Sequence, residues 1–308
     1  MAALASFVMT FAVWPLARRV SRDWPASDRA RLIFAIRVLP VCLCLTVTFG
    51  LALPSFLLKE PVQSGERVGF RLAALAVAGA AIFLAGAYRV VRDWRRVNRL
   101  KQRWMAEGLP LSLTSVTVPV FEVPHPEALI AVMGIFHPTV FLSRQVVESL
   151  ETAESRAGIA HELAHISARD NIKQVLLHAW RLPFLEKLTG MDAEWQLASE
   201  IAADENAVVS GASILDLASA LVKVARLRLG VFTELHPAVV CFVPATRETL
   251  LSARILHLMS LLERGGVRRE ESSLSYPGIW LAAAAILTFV SLHAGLLSFA
   301  HQLLEKIV

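Results

Sequence analysis

His161, Glu162 and His165 stand together as His-Glu-Leu-Ala-His within the stretch Gly158 to Asp170. On a helix, residues four apart share a face, so both imidazoles project from one side. Two nitrogens on one rigid turn fit two positions of a tetrahedral zinc ion, Zn2+. Glu162 points about 100° further round the helix. From there it can take a proton from a water without being a ligand, which is the position of a general base. The chemistry implied is metal-assisted hydrolysis of an amide. The flanking Ile159, Ala160, Leu163, Ala164 and Ile166 make the helix apolar nearly all round, so it is predicted to be buried. Burying two histidines and a glutamate is costly unless they are held together by something.

Such a site needs a third protein ligand and an open fourth position. The segment Glu200-Ile-Ala-Ala-Asp204 offers one. Glu200 and Asp204 share a helical face, and the small Ala202 and Ala203 permit close approach to the histidine helix. Asp204 is then placed to accept a hydrogen bond from the distal ring nitrogen of His161, as carboxylates behind ligating histidines do. Spacing alone leaves Glu194 and Glu205 in competition with Glu200. Asp170 is expected to cap a helix or form a salt bridge beside the site without binding the metal. Arg254 is expected to anchor the fold, and His178 to be a core or interfacial histidine.

The elements that position these groups carry unusual hydrophobicity. The chain has 308 residues, 55% of them hydrophobic and only 19% charged, with a mean hydropathy of +0.54. Four runs lack Asp, Glu, Lys and Arg: Met1 to Ala17, Val38 to Leu58, Leu72 to Tyr88, and Leu274 to Leu304. Each is read as a membrane span, the first as a retained span in preference to a signal peptide. The net charge of +5 does not indicate nucleic acid, because the arginines cluster beside the apolar runs. Arg18, Arg19, Arg22, Arg29, Arg31 and Arg37 separate the first two, and Arg89 to Arg103 follow the third. Positive-inside bias then puts the N-terminus outside and segment 92–273 in the cytoplasm of a bacterial-type inner membrane. Val91, Trp94, Val97, Leu100 and Trp104 recur at helical spacing, as a basic amphipathic helix at the bilayer surface or as an extension of the third span. Residues 116–121 and 129–142 read as short strands and the rest as helices, with Asp192 and Ser213 as N-caps and Gly211, Gly230 and Gly265 as stops. The three cysteines (Cys42, Cys44, Cys241) form no metal-site pattern and read as packing residues.

His-Glu-Leu-Ala-His-Ile-x-x-Arg-Asp170 followed by Glu200-x-x-Ala-Asp204 resembles the gluzincin metallopeptidases. Within them the chain is similar to the BlaR/MecR-type antirepressor peptidases. Gly134-Ile-Phe-His-Pro-Thr-Val-Phe-Leu-Ser143 and the order of three spans, a peptidase domain and a fourth span carry that likeness. The resemblance implies an α+β, mainly helical fold with three regions: spans in 1–91, a cytoplasmic zinc peptidase in 92–273, and a last span with a short outer tail in 274–308. It implies His161, His165 and Glu200 as zinc ligands, Glu162 as the catalytic base, and Asp204 behind them. It also implies that residues 131–142 form an active-site edge strand to which a protein or peptide substrate, such as a transcriptional repressor, pairs. The likeness departs in one respect. BlaR-type receptors carry a penicillin-binding sensor beyond the last span, whereas this sequence runs about four residues past Leu304 and contains no Ser-x-x-Lys. A separate sensor protein or a second copy of the chain is therefore expected as a partner. HtpX-type membrane quality-control or prenyl-protein proteases share the zinc-site residues, but His236-Pro237 here lies far from Arg254. A signalling scaffold with a structural metal is a further alternative, disfavoured because such a site has no use for Glu162.

Overall fold

Two apolar runs, each buried on both faces, build the middle of a five-stranded sheet. The computed structural model describes residues 13–45, 70–112, 116–125, 129–179, 190–228, 240–241 and 248–267. In it the strands are β1 (Leu109–Leu111), β2 (Val120–Val123), β3 (Ile130–Met133), β4 (Thr139–Ser143) and β5 (Val240–Cys241), in the order β1-β2-β4-β3-β5. β2 and β4 are parallel, and the other pairs are antiparallel. Side chains alternate between faces along a strand. Val120, Ile130, Val132, Val140 and Leu142 therefore enter one core, while Val123, Ala131, Met133 and Phe141 enter another. Both faces are covered, which is why these strands are almost continuously apolar rather than alternating with polar residues.

Besides the helical residues 13–20, eight described helices pack on the sheet and on one another: α1 (Ala26–Leu45), α2 (Phe70–Glu107), α3 (Arg144–Ser149), α4 (Thr152–Ala168), α5 (Asp170–Ala179), α6 (Met191–Val209), α7 (Ile214–Arg228) and α8 (Glu248–Glu263). The chain is thus mainly helical with one small sheet. α2 lays Val97 and Trp104 on one face of the sheet, with Val90 and Leu100 beside them. α4, α7 and α8 close the other face through Ile159, Leu217, Leu221, Val224 and Leu258. A third core joins α1, α5 and α6, where Ile33 and Phe34 meet Leu177, Met191 and Trp195.

Several expectations are sharpened or corrected. α2 is one continuous helix, so the basic segment extends the third apolar run, and the division at residue 91 falls inside it. Val91 and Trp94 are exposed and only the later apolar residues pack inward. Residues 131–142 do not form an edge strand. Gly134, at φ 107°, breaks the run into β3 and β4, and β5 of the same chain pairs with Ala131 and Val132 on the outer side of β3. α6 starts at Met191 with Gly190 (φ 61°) as its cap. Asp192 does not cap it, because its carboxylate takes Arg37 Nε at 3.2 Å. Ser213 does cap α7, accepting from Asp216 N–H at 3.4 Å. Gly211 and Gly265 follow helix ends at φ 102° and 80°. Among the described residues no helix is long and apolar enough to cross a membrane. Most of the first two apolar runs, the whole of the fourth, Gly230, His236 and Pro237 lie outside the described residues.

The start of α4 is tied to α7 by Glu154, which is buried. Its Oε1 accepts from Ser219 Oγ at 2.6 Å, and its Oε2 accepts from Lys223 Nζ and Glu151 N–H, both at 2.8 Å. Burial raises the carboxyl's pKa, but these donors outweigh it and hold the group below the ordinary glutamate range. A lowered folded-state pKa stabilises the fold above the unfolded value, and that stability is lost as pH falls through the folded value. Glu154→Gln should therefore cost about 1 kcal/mol at neutral pH. The gap from wild type should close as acid protonates Glu154. Thermal unfolding of both proteins across acid pH measures this; a gap independent of pH would refute it.

Candidate metal centre

α4 presents His161, Glu162 and His165 to the interior, where they are 0%, 0% and 1% exposed. α6 crosses it and brings Glu200 and Asp204, also buried. Ala202 and Ala203 lie buried on α6 between them, and their small side chains permit a close crossing of the two helices.

Each histidine is held at its far nitrogen by a carboxylate. Asp204 Oδ1 lies 2.8 Å from His161 Nδ1, and Asp170 Oδ2 lies 2.8 Å from His165 Nδ1. A carboxylate only accepts, so each Nδ1 carries the proton and each Nε2 presents a lone pair. The two Nε2 atoms face each other at 3.1 Å. Glu200 approaches the same point, with Oε2 at 3.5 Å from His161 Nε2 and Oε1 at 3.8 Å from His165 Nε2. The three ligand atoms lie within 4.8 Å of one another. Two facing lone pairs repel unless a cation lies between them. Tetrahedral zinc with bonds of about 2.0–2.1 Å sets its nitrogens about 3.4 Å apart. The donor set therefore fits zinc.

Glu162 stands beside this cluster with neither carboxylate oxygen hydrogen-bonded. Burial, reinforced by Glu200, pushes its pKa well above the ordinary range, against the pull of His165 and Arg254. A carboxyl left without a partner in a closed site is suited to exchanging a proton with something that enters.

Beyond the geometry, the family model for peptidase family M48 matches residues 94–250, just over half of the 308-residue chain. The chain belongs to peptidase family M48. It is accordingly a zinc metallopeptidase, a hydrolase of peptide bonds. No curated protein matches the chain.

The matched stretch of this M48 peptidase runs from α2 to the start of α8 and contains His161, Glu162, His165, Glu200, Asp204 and Asp170. It stops short of Arg254, which the geometry places at the centre. Arg254 is 1% exposed on α8. Its Nε and Nη2 donate to the two oxygens of Asp204 at 2.7 and 2.6 Å. Its Nη1 lies 2.8 Å from Glu200 Oε2, an ion pair by distance. Burial raises the Asp204 pKa, but Arg254 and His161 overcome this and keep it ionised far below the usual aspartate range. Arg254 thus anchors the fold, as its sequence context suggested, and does so by holding Asp204 and Glu200 toward the histidines.

Asp170 reaches His165 because α4 ends on Arg169 in the left-handed conformation, φ 57° and ψ 36°. That turn folds the chain back within one residue, as left-handed helix ends do. Lys173 Nζ, 2.7 Å from Asp170 Oδ1, supports the same carboxylate. Burial raises the Asp170 pKa, and His165 and Lys173 more than reverse this. His178 is interfacial, with its Nε2 3.4 Å from Asp93 of α2. Of the competing ligands, Glu205 pairs with His257 at 2.9 Å and Glu194 with Arg29 at 2.6 Å, leaving Glu200 with the histidines.

Arg254→Leu should leave two buried carboxylates without their cation, at about 3–5 kcal/mol. Zinc affinity should fall by about 10–100-fold. Arg254→Lys should restore part of both, since it keeps the charge and loses the fork. Zinc titration and thermal unfolding of the metal-free proteins report these effects. An Arg254→Leu protein equal to wild type in both would refute the assignment.

Proposed function

We propose that this M48 peptidase performs regulatory proteolysis as a membrane-bound endopeptidase, cleaving a cytoplasmic protein in the manner of the BlaR/MecR-type antirepressor peptidases. His161, His165 and Glu200 hold the zinc, and Glu162 is the general base. The observation that carries the catalytic part is the pairing of two converging histidine lone pairs with a buried glutamate that has no other partner. Zinc held there supplies Lewis-acid polarisation of the scissile carbonyl and of a water. Glu162 accepts the proton released as that water's oxygen bonds to the carbonyl carbon. It then delivers the proton to the amide nitrogen as the carbon–nitrogen bond breaks. Asp204 and Asp170 keep both Nδ1 protons in place, so the ligating tautomers persist through the cycle.

The membrane reading is supported by the charge-free runs, their flanking arginines and the character of α2. Val77, Phe83, Leu84 and Tyr88 on its first half are 43–69% exposed, which suits contact with lipid. On this reading the metal centre lies on the cytoplasmic side. A second reading is a membrane quality-control protease of the HtpX type, which shares the zinc-site residues.

Glu162→Gln should retain zinc and lose cleavage by about 10²–10⁴-fold, whereas Glu200→Ala should lose zinc. Proteomics of cells carrying wild type or Glu162→Gln then separates the two readings. One accumulating cytoplasmic regulator supports regulatory proteolysis, and many accumulating membrane proteins support quality control. Full activity in purified Glu162→Gln protein would refute the general-base role.

A further inference from the structure

One face of α2 is left uncovered, and its character changes along the helix. Successive steps of three, four or seven residues keep to one helical face. Val77, Leu84, Tyr88 and Val91 follow such steps and are 44% to 69% exposed. Beyond them the same face carries Arg92, Arg95, Arg99 and Arg103, with Arg96 beside them. All of these but Arg92 are exposed.

The charge here is one-sided. Arg92 is taken by Asp93 at 2.9 Å. Arg99 Nε donates to the backbone carbonyl of Arg95 at 3.3 Å. Among the described residues no carboxylate forms an ion pair with Arg95, Arg96, Arg99 or Arg103, and Glu107, one turn beyond Arg103, pairs with none of them. Like charges one turn apart destabilise a helix, and Arg95, Arg99 and Arg103 are spaced in that way. An anionic surface laid along them relieves the repulsion.

Three features favour a protein over lipid. Trp94 and Met105, each 38% exposed, stand about three turns apart on the adjoining line, so apolar side chains flank the arginines. The row is also too long for headgroups. If α2 enters a bilayer at Tyr88, as the membrane reading holds, Arg103 lies about 22 Å further along its axis. The headgroup layer on one side of a bilayer is only about 5–8 Å thick. A second copy of α2 laid alongside in the same orientation would set arginine against arginine. The row belongs to the peptidase body, because Lys101 of the same helix donates to the carbonyl of His137 and Asp93 meets His178 of α5.

We propose that this row docks an acidic segment of a partner protein, with carboxylates on Arg95, Arg99 and Arg103 and apolar side chains against Trp94 and Met105. Arginine clusters recognise acidic motifs in this way. The site is separate from zinc and from the cleavage chemistry.

Fluorescein-labelled octaglutamate titrated into the zinc-loaded full-length protein in phosphatidylcholine nanodiscs tests it by anisotropy. The row variant is Arg95→Gln/Arg99→Gln/Arg103→Gln. The control Arg19→Gln/Arg22→Gln/Arg264→Gln removes equal charge from other exposed positions. Wild type and control should bind saturably with one affinity that weakens as salt rises. The row variant should bind about tenfold or more weakly and unfold at no lower temperature. Recovery of the chain with the discs reports on the membrane reading separately, since the titration reads the row whether or not the chain is embedded. In discs that also contain phosphatidylglycerol the ratio of wild type to row variant should persist; a ratio that falls to one assigns the row to lipid headgroups and overturns the proposal. No saturable binding, or equal affinity in the row variant and the control, also overturns it.

Discussion

The structure is organised around buried charge that must balance. Glu162, Asp170, Glu200 and Asp204 converge in a volume closed to water, each no more than 3% exposed. Arg254 and Lys173 meet them there. With all four carboxylates ionised, two negative charges remain, which is the charge of one divalent cation. The raised pKa of Glu162 has burial as its main cause, and the negative charge of Glu200 adds to it. The demands on the fold follow from this. α4 must present one face inward, α6 must cross it closely, α8 must deliver a guanidinium, and Arg169 must turn the chain so that Asp170 returns.

How much of this was legible in the sequence depended on the distance over which each relation acts. The His161–Glu162–His165 face follows from helical periodicity, a local rule, and stands unchanged. The relation of Asp204 to His161 was also within reach, because Glu200 and Asp204 lie one turn apart and Ala202 and Ala203 permit close approach. The choice of Glu200 over Glu194 and Glu205 was not. It depends on which face of α6 meets α4, and the competitors are removed by partners far away in the chain: Arg29 for Glu194, and His257 for Glu205. Arg254 was visible only as a lone cation in an apolar helix, Leu250-Leu251-Ser-Ala-Arg254-Ile-Leu. Its pairing spans 50 residues to Asp204, and no periodicity carries information across that distance.

The sheet and the helix starts show the same division. The apolar run at 129–142 marked strands, and its double burial is consistent with its composition; of the run at 116–121 only Val120 and Phe121 fall in a strand, β2. Their topology was set by the turn at Gly134 within the second run and by the distant β5, which closes the outer side of β3. Asp192 has the composition of a helix cap, yet Arg37 on a helix 155 residues away takes its carboxylate. The chain then starts the helix earlier, at Gly190, which tolerates the left-handed conformation. A long-range ion pair outcompeted a local cap of comparable strength.

α6 is where these relations meet. Its inner face carries Glu200 and Asp204 to the metal centre. Its first turns are pinned to α1 by Arg29–Glu194 and Arg37–Asp192, with Ile33 and Phe34 packed on Met191 and Trp195. Its outer face, with Ile201 and Glu205, lines a concavity shared with the start of α1 and the end of α8. A rigid helix transmits a shift along its length, because close packing does not absorb displacement gradually. Glu200, the proposed third ligand, is therefore held by the same element that carries the contacts of α1. The crossing of α6 over α4 sets the distance from Glu200 to the two histidines. A force on α1 can reach the metal centre through α6 and its crossing of α4, or through α5, whose Asp170 holds His165.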